Sequence, residues 1–288
     1  MIPEPRENPV HPMARFFEGQ RERLRERSAA RGERPPNRSA VITMVHDEAV
    51  FLPIWLRYYS RFFAPGDIYV LDNETSDGST AAGGFVRIPV AHDRVDHTWM
   101  VETVAGLQHE LLERYDVVLV TDVDEIVAPD PRLGTLGDYL KGFGETWVNC
   151  LGYELLHLGD REPALVPEKP ILAQRGYWFA NDAYDKPALA TEPMLWQPGF
   201  HHRADGHYNL DPDLRLIHLH RMDYEICRER HRLRSRRPWN ELDAREGWAT
   251  HNMITEGVEF DRWFYGDSSV GGIPIVLERV PAEWREAF

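Results

Sequence analysis

Cysteine is scarce: among 288 residues only Cys150 and Cys227 occur. Two thiols supply neither a disulfide framework nor a thiolate metal cluster. An excess of positive charge is lacking too, with 33 lysines and arginines against 47 aspartates and glutamates and a formal net charge of −14. That balance argues against a nucleic-acid duplex surface built on phosphate contacts, while local basic groups or a metal ion could still meet a small anion. No apolar run is long enough to span a bilayer, and Met1-Ile2-Pro3-Glu4-Pro5-Arg6 lacks the apolar core of a signal peptide. The expected location is therefore the cytoplasm, with peripheral membrane contact neither required nor excluded. Gly-x-Gly-x-x-Gly and Gly-x-x-x-x-Gly-Lys-Ser/Thr are both missing, so dehydrogenase and P-loop readings fall away. Gly-x-Ser-x-Gly is missing as well, and neither cysteine has an activating neighbourhood.

What is present centres on Val117-Val118-Leu119-Val120-Thr121-Asp122-Val123-Asp124-Glu125-Ile126-Val127. Four apolar, mostly β-branched residues predict an interior strand, and ligands of parallel sheets bind beyond the carboxyl ends of such strands. In an extended chain Asp122 and Asp124 point to one side, where both could grip a hard cation through oxygen. The same residues also fit a loop of solvated acids.

Arg and Glu alternate from Arg21 to Arg34 around the single Leu24, a solvated helix with charge pairs, before Pro35-Pro36 breaks it. Residues 1–38 are thus expected to be a charged leader, either disordered or docked through Met13, Phe16 and Phe17 on the domain or on a second copy. The ordered domain is expected over 39–288. Val41 to Val45 reads as a strand delivering His46-Asp47-Glu48 at its tip, and Phe51, Trp55, Tyr58 and Phe62 recur at helical spacing as a core stripe. A second strand, Asp67 to Leu71, ends in the polar loop Asp72-Asn73-Glu74-Thr75-Ser76-Asp77-Gly78-Ser79. A short strand at Phe85 to Ile88 and a helix through Val101, Val104, Gln108 and Leu111 lead to the central strand. The expected fold class is α/β, a sandwich with right-handed crossovers.

His46-Asp47-Glu48, Trp55-Leu56-Arg57-Tyr58-Tyr59, the Asp72 to Ser79 loop and Asp122-Val123-Asp124-Glu125 together resemble a GT-A glycosyltransferase of family 2, close to its family-92-like relatives. His46-Asp47 replaces the basic-Asn pair common there, and Tyr59 stands where His is frequent. The resemblance implies a nucleotide-diphospho-sugar transferase sandwich with a mostly parallel sheet. It divides the domain into a donor-binding half (39–130), an acceptor and metal-completing half (131–237) and a C-terminal extension (238–288). It also implies a nucleotide-sugar donor, a UDP-sugar by inherited expectation, an unknown glycan, lipid or small-molecule acceptor, and Mn2+ or Mg2+ as cofactor. Asp124 would ligate the ion, Asp122 would hold the ribose and share the ion, Asp72 and Asp77 would line the nucleoside pocket, and Glu48 would lie near base or ribose.

Asp211 to Asp223 resembles the segment that returns to the metal, which makes His218 the expected third ligand and His220 the fallback. Lys186 resembles a phosphate-contacting lysine. Inversion needs a carboxylate in reach of the acceptor hydroxyl. Glu154, at the end of the predicted strand from Trp147, is the candidate base, with Asp160, Glu162, Asp182 and Asp185 as competitors. Trp178, Phe179, Tyr184 and Trp196 either stack on an acceptor sugar or fill the core. The arginines from Arg228 to Arg237 read mainly as a solvated helix face, with one or two left to reach the pyrophosphate or an anionic acceptor. Two other classes stay open: a metal-dependent nucleotidyltransferase or hydrolase on the same sheet, and a nucleotide-sugar binding module without turnover.

Overall fold

The structure is a computed structural model and describes residues 37–266 and 275–288. The expected leader, apart from its last two residues, lies outside the described residues. Strand β1 (Ser39–Val45) is followed by helix α1 (Phe51–Tyr59), β2 (Ile68–Asn73), β3 (Val86–Val90), α2 (His97–Leu111) and β4 (Val117–Val120). These four strands pair in parallel in the order β4-β1-β2-β3. The chain moves outward from β1 to β3 and then returns to the other side of β1, so the strand order reverses between β1 and β4. Such a switch point opens a crevice at the carboxyl ends of the two strands.

Residue alternation explains why these strands are apolar on both faces. Val41, Val45, Ile68, Val70, Val117 and Leu119 pack with Trp55, Tyr58 and Tyr59 of α1, whereas Ala40, Ile42, Tyr69, Leu71, Val118 and Val120 pack with Val101 and Val104 of α2. The α1 aromatics also do more than fill space. Trp55 Nε1 donates to Thr121 Oγ1 at 2.9 Å, and Tyr59 Oη accepts from Val127 N–H at 2.9 Å, so the helix grips both sides of the turn holding Asp122 and Asp124.

The remaining elements are β5 (Glu125–Pro129), α3 (Leu136–Gly142), β6 (Trp147–Leu155), α4 (Ile171–Gln174), β7 (Tyr177–Ala180), β8 (Pro187–Ala190), β9 (Leu210–His218), α5 (Tyr224–Ser235), α6 (Glu241–Glu246), α7 (Gly257–Tyr265) and β10 (Glu278–Arg279). Long β6 is the hub, reaching the parallel half through β8 and β5 through β9. Among the described residues four strand pairings are parallel and five antiparallel. The expected mostly parallel sheet is therefore corrected to a mixed one. The α/β class holds, and three of the four parallel pairings lie in the first half, where helices supply crossovers between parallel neighbours; the fourth joins β6 to β9. The C-terminal segment is built into this body: Phe260 and Phe264 of α7 share a core with Phe179 and Cys227, and β10 pairs with β7.

Candidate metal and donor site at the sheet rim

Beyond β4 the chain does not stay extended. Glu125 N–H donates to Asp122 C=O at 3.0 Å, closing a turn into β5, so the two aspartates part company. Asp122 is 40% exposed at the side chain and accepts from Lys186 Nζ at 2.7 Å. Lys186 also meets Glu125 at 2.5 Å. Together these groups line a narrow recess with Trp196 and Phe200. Burial acts against the Lys186 charge, but its two carboxylate neighbours outweigh it and raise the ammonium above its ordinary range. Glu125 is pushed up to about 7, chiefly by burial.

Asp124, 3% exposed, turns inward. Its Oδ2 lies 3.3 Å from His218 Nε2 and 3.7 Å from His220 Nδ1, and it accepts from Arg230 Nη1. Although burial opposes the charge, Arg230 and His218 hold this carboxyl well below the usual range. Strand register explains how His218 arrives. It is the partner of Glu125 across β5–β9 and of Glu154 across β6–β9, which makes one row of acid, imidazole and acid. Glu154, 1% exposed, has both oxygens within 3.0 and 3.1 Å of His218 Nδ1. Burial pulls the imidazole down, but Glu154 and Asp124 prevail and push it up to about 10. The Tyr184 ring lies against it, with centroids 4.1 Å apart.

Arginine 230 ties this row to the tip of β1. Its Nη2 donates to Glu48 Oε1 at 2.7 Å, where Arg234 Nη2 also donates at 3.0 Å. Asp223 caps α5 by accepting from the Glu225 and Ile226 N–H groups, and the helical repeat then turns Cys227, Arg230 and His231 inward. The solvated-face reading of the arginine run thus fails for Arg230, which is 6% exposed, because two buried carboxylates reach it. It holds better for Arg228 and Arg232, at 30% and 35% side-chain exposure.

Not every expected residue joins the site. Asp72 is committed to its own loop, accepting from Thr75 N–H at 2.9 Å, Thr80 Oγ1 at 2.8 Å and Arg87 Nε at 2.5 Å. Asp77 is exposed and accepts from Ser79 N–H at 2.8 Å. Glu162 accepts from the Leu158 and Gly176 N–H groups and lines a separate surface recess with Asp160. Asp182 is exposed on the turn before Tyr184. Asp185 accepts from Gly152 N–H at 2.7 Å and Tyr208 Oη at 2.8 Å, and burial raises it to about 6. Trp178, Phe179 and Trp196 are 1%, 2% and 6% exposed and belong to the core; Trp196 also lines the recess beside Lys186, and Tyr184 lies against His218. A Cβ on Gly152 would come within 2.4 Å of Asn181 C=O and 2.6 Å of the Tyr184 carbonyl carbon, so glycine is what lets the Tyr184 turn lie on β6. Arg230 and Glu125 were missed as site residues by sequence reasoning. The signal for Arg230 was its spacing from Cys227, which shares its helix face.

No protein-family model and no curated protein matches the chain. Among solved structures it is similar to the mannosyltransferase PcManGT from Pyrobaculum calidifontis, in complex with GDP-Man and Mn2+, at 15% sequence identity and a TM-score of 0.36. The match covers 71% of this chain and 66% of that one, just under two thirds of its length. A likeness at this level says nothing of what this chain binds. No helix among the described residues is long and apolar enough to cross a membrane.

Proposed function

We propose that this chain is a metal-dependent glycosyltransferase that moves a sugar from a nucleotide-diphosphate donor, a uridine one, to an acceptor hydroxyl with inversion. The observation that carries the reading is the convergence of Asp124, His218 and His220, whose ligand atoms all lie within 4.8 Å of one another at the rim beside the β1/β4 switch point. The donor set suits a divalent ion that accepts both nitrogen and oxygen, so Mn2+ fits better than Mg2+, which keeps to oxygen ligands. Glu154 supports the fit, since a ligating histidine commonly donates its other N–H to a carboxylate. When bound, such an ion supplies Lewis-acid neutralisation of a diphosphate leaving group.

The chain's own residues have distinct tasks in this reading. Glu154 orients His218, and with both oxygens turned to that ring we assign it this role in place of proton abstraction. Asp122, the more open aspartate, holds the ribose, and Lys186 moves from Asp122 to the donor phosphates. Arg230 must release Asp124 for the ion to bind, while remaining paired with Glu48. Asp72 and Asp77 shape the nucleoside loop through the bonds they accept.

A panel of nucleotide sugars screened by thermal shift, with and without Mn2+, tests the reading. Stabilisation by the donor is expected only when Mn2+ is present, followed by transfer that Asp124→Ala abolishes. Donor binding that ignores Mn2+, or transfer surviving in Asp124→Ala, sinks it. Tight donor binding with no acceptor ever glycosylated would instead support a binding module, the reading favoured by the full burial of Glu154.

A further inference from the structure

His220 presents its two ring nitrogens to different neighbours. Nδ1 faces Asp124 at 3.7 Å, while Nε2 lies 2.8 Å from Nε2 of His231. Cys227 Sγ stands 3.9 Å from that same His231 nitrogen. The sequence dictates this grouping: Cys227 and His231 are four apart on α5 and so share a helix face. Leu219 C=O, by accepting from Met222 N–H at 2.9 Å, turns the chain so that His220 faces them. Side chains of Cys227 and His231 are fully buried and His220 is 4% exposed, with the three ligand atoms within 4.8 Å of one another.

We propose that Cys227, His231 and His220 form a second metal site, for an ion of the zinc class that takes one thiolate and imidazole nitrogens. With ordinary zinc bond lengths, tetrahedral geometry separates two nitrogens by about 3.3 Å and a sulfur from a nitrogen by about 3.6 Å. The observed 2.8 and 3.9 Å differ from these by half an ångström or less, within reach of small χ adjustments. His231 is already set as a ligand. Its Nδ1 donates to Ile254 C=O at 2.8 Å, which leaves the Nε2 lone pair directed at the other two side chains. Hydrogen bonds alone would have both His220 Nε2–H and the Cys227 thiol donate to the one lone pair of His231 Nε2, crowding two donors on a single acceptor.

This site does not rest on the transferase reading, but it draws on Nε2 of His220: a neutral imidazole has one ligating nitrogen, so an ion here leaves the Nδ1 proton toward Asp124 and leaves Asp124 and His218 as the protein ligands of the other centre. Its effect is mechanical: an ion there ties α5, at Cys227 and at His231 next to Arg230, to the segment just past β9 and fixes His220 with Nδ1 toward Asp124.

The test uses the full chain, stripped with a chelator and titrated with Zn2+ and with Co2+ as a spectroscopic probe. Wild type is expected to bind Zn2+ and, with Co2+, to show intense tetrahedral bands together with a sulfur-to-cobalt charge-transfer band. Cys227→Ser should lose that band and weaken Zn2+ by more than the ~10–100-fold that removal of a supporting partner brings. Cys150→Ala and Asp124→Asn should both keep the band. A wild-type Co2+ spectrum without the sulfur band overturns the proposal whether or not any variant folds, and so does a band that survives in Cys227→Ser. Loss of Mn2+-dependent transfer in Asp124→Asn with the sulfur band intact would show that the two metal assignments stand or fall separately.

Discussion

At the end of β2, Asp72, Asp77 and the neighbouring Asp47 bond mostly to N–H groups and hydroxyls of one loop, Asp47 accepting from Ser76 N–H at 2.6 Å and Asp77 N–H at 3.1 Å. At the end of β4, Asp122 and Asp124 meet cationic side chains from far along the chain: Lys186 for one, Arg230 and His218 for the other. Both tips are acidic, and both end buried parallel strands. The difference is that the first set is satisfied within two adjoining loops and the start of β3, whereas the second set depends on three segments far along the chain staying in place. Carboxylates of the first kind shape a loop, and those of the second kind can exchange a protein cation for another.

The comparison is broken most sharply at Arg230. Replacing it by Met leaves Asp124 and Glu48 buried without their main partner, and urea unfolding should report a loss of about 3–5 kcal/mol. Because Arg230 competes for the same oxygen, Mn2+ affinity by titration calorimetry is expected to rise in that variant, and a fall would contradict the assignment of Asp124 as a ligand. Mn2+ should also restore part of the lost stability, by mass action on the folded state.

The next effect is one of pH. In chelator-treated protein the His218 proton, held up to about 10 against 6.5 for a free imidazole, stabilises the fold fully below pH 6.5, and that contribution is lost as pH rises through 10. Glu125, raised to about 7 from 4.5, has the same sign lower down: its contribution is present below pH 4.5 and lost as pH rises through 7. Each group gives a slope no steeper than about 1.4 kcal/mol per pH unit, falling toward alkali. Glu154→Gln should flatten the limb between pH 6.5 and 10, and an unchanged limb would exclude His218 as its source.

Smaller effects belong to the local tip. Asp72→Asn should lower stability by about 1–3 kcal/mol through its buried bonds, with Mn2+ affinity unchanged in titration. Asp77→Ala, exposed and holding a single turn, should lose about 0.5–1 kcal/mol. An equal fall in Mn2+ affinity for Asp72→Asn and Asp124→Asn would erase the distinction between the two tips.

Much of this was legible in the residues. Continuous apolar runs in β1, β2 and β4 announce strands buried on both faces, and the acids that follow each mark the rim. His218 stood out only through the resemblance of Asp211 to Asp223 to a segment that returns to a metal. The mixed pairing of the second half could not be read, because strand direction there is set by which edge each segment finds on β6, and no local propensity encodes that choice.

What the sequence determined alone is therefore the one-dimensional part: where the chain extends, where it coils, and which carboxylates stand at strand ends. Tertiary structure alone decided their partners. Asp122 and Asp124 are chemically identical and two residues apart, yet a turn sends one to the solvent side with Lys186 and the other beneath α5 to Arg230, His218 and His220. Charge pairing in a buried setting depends on separation and desolvation, and both quantities come into being only when strands and helices from opposite ends of the chain close on one another.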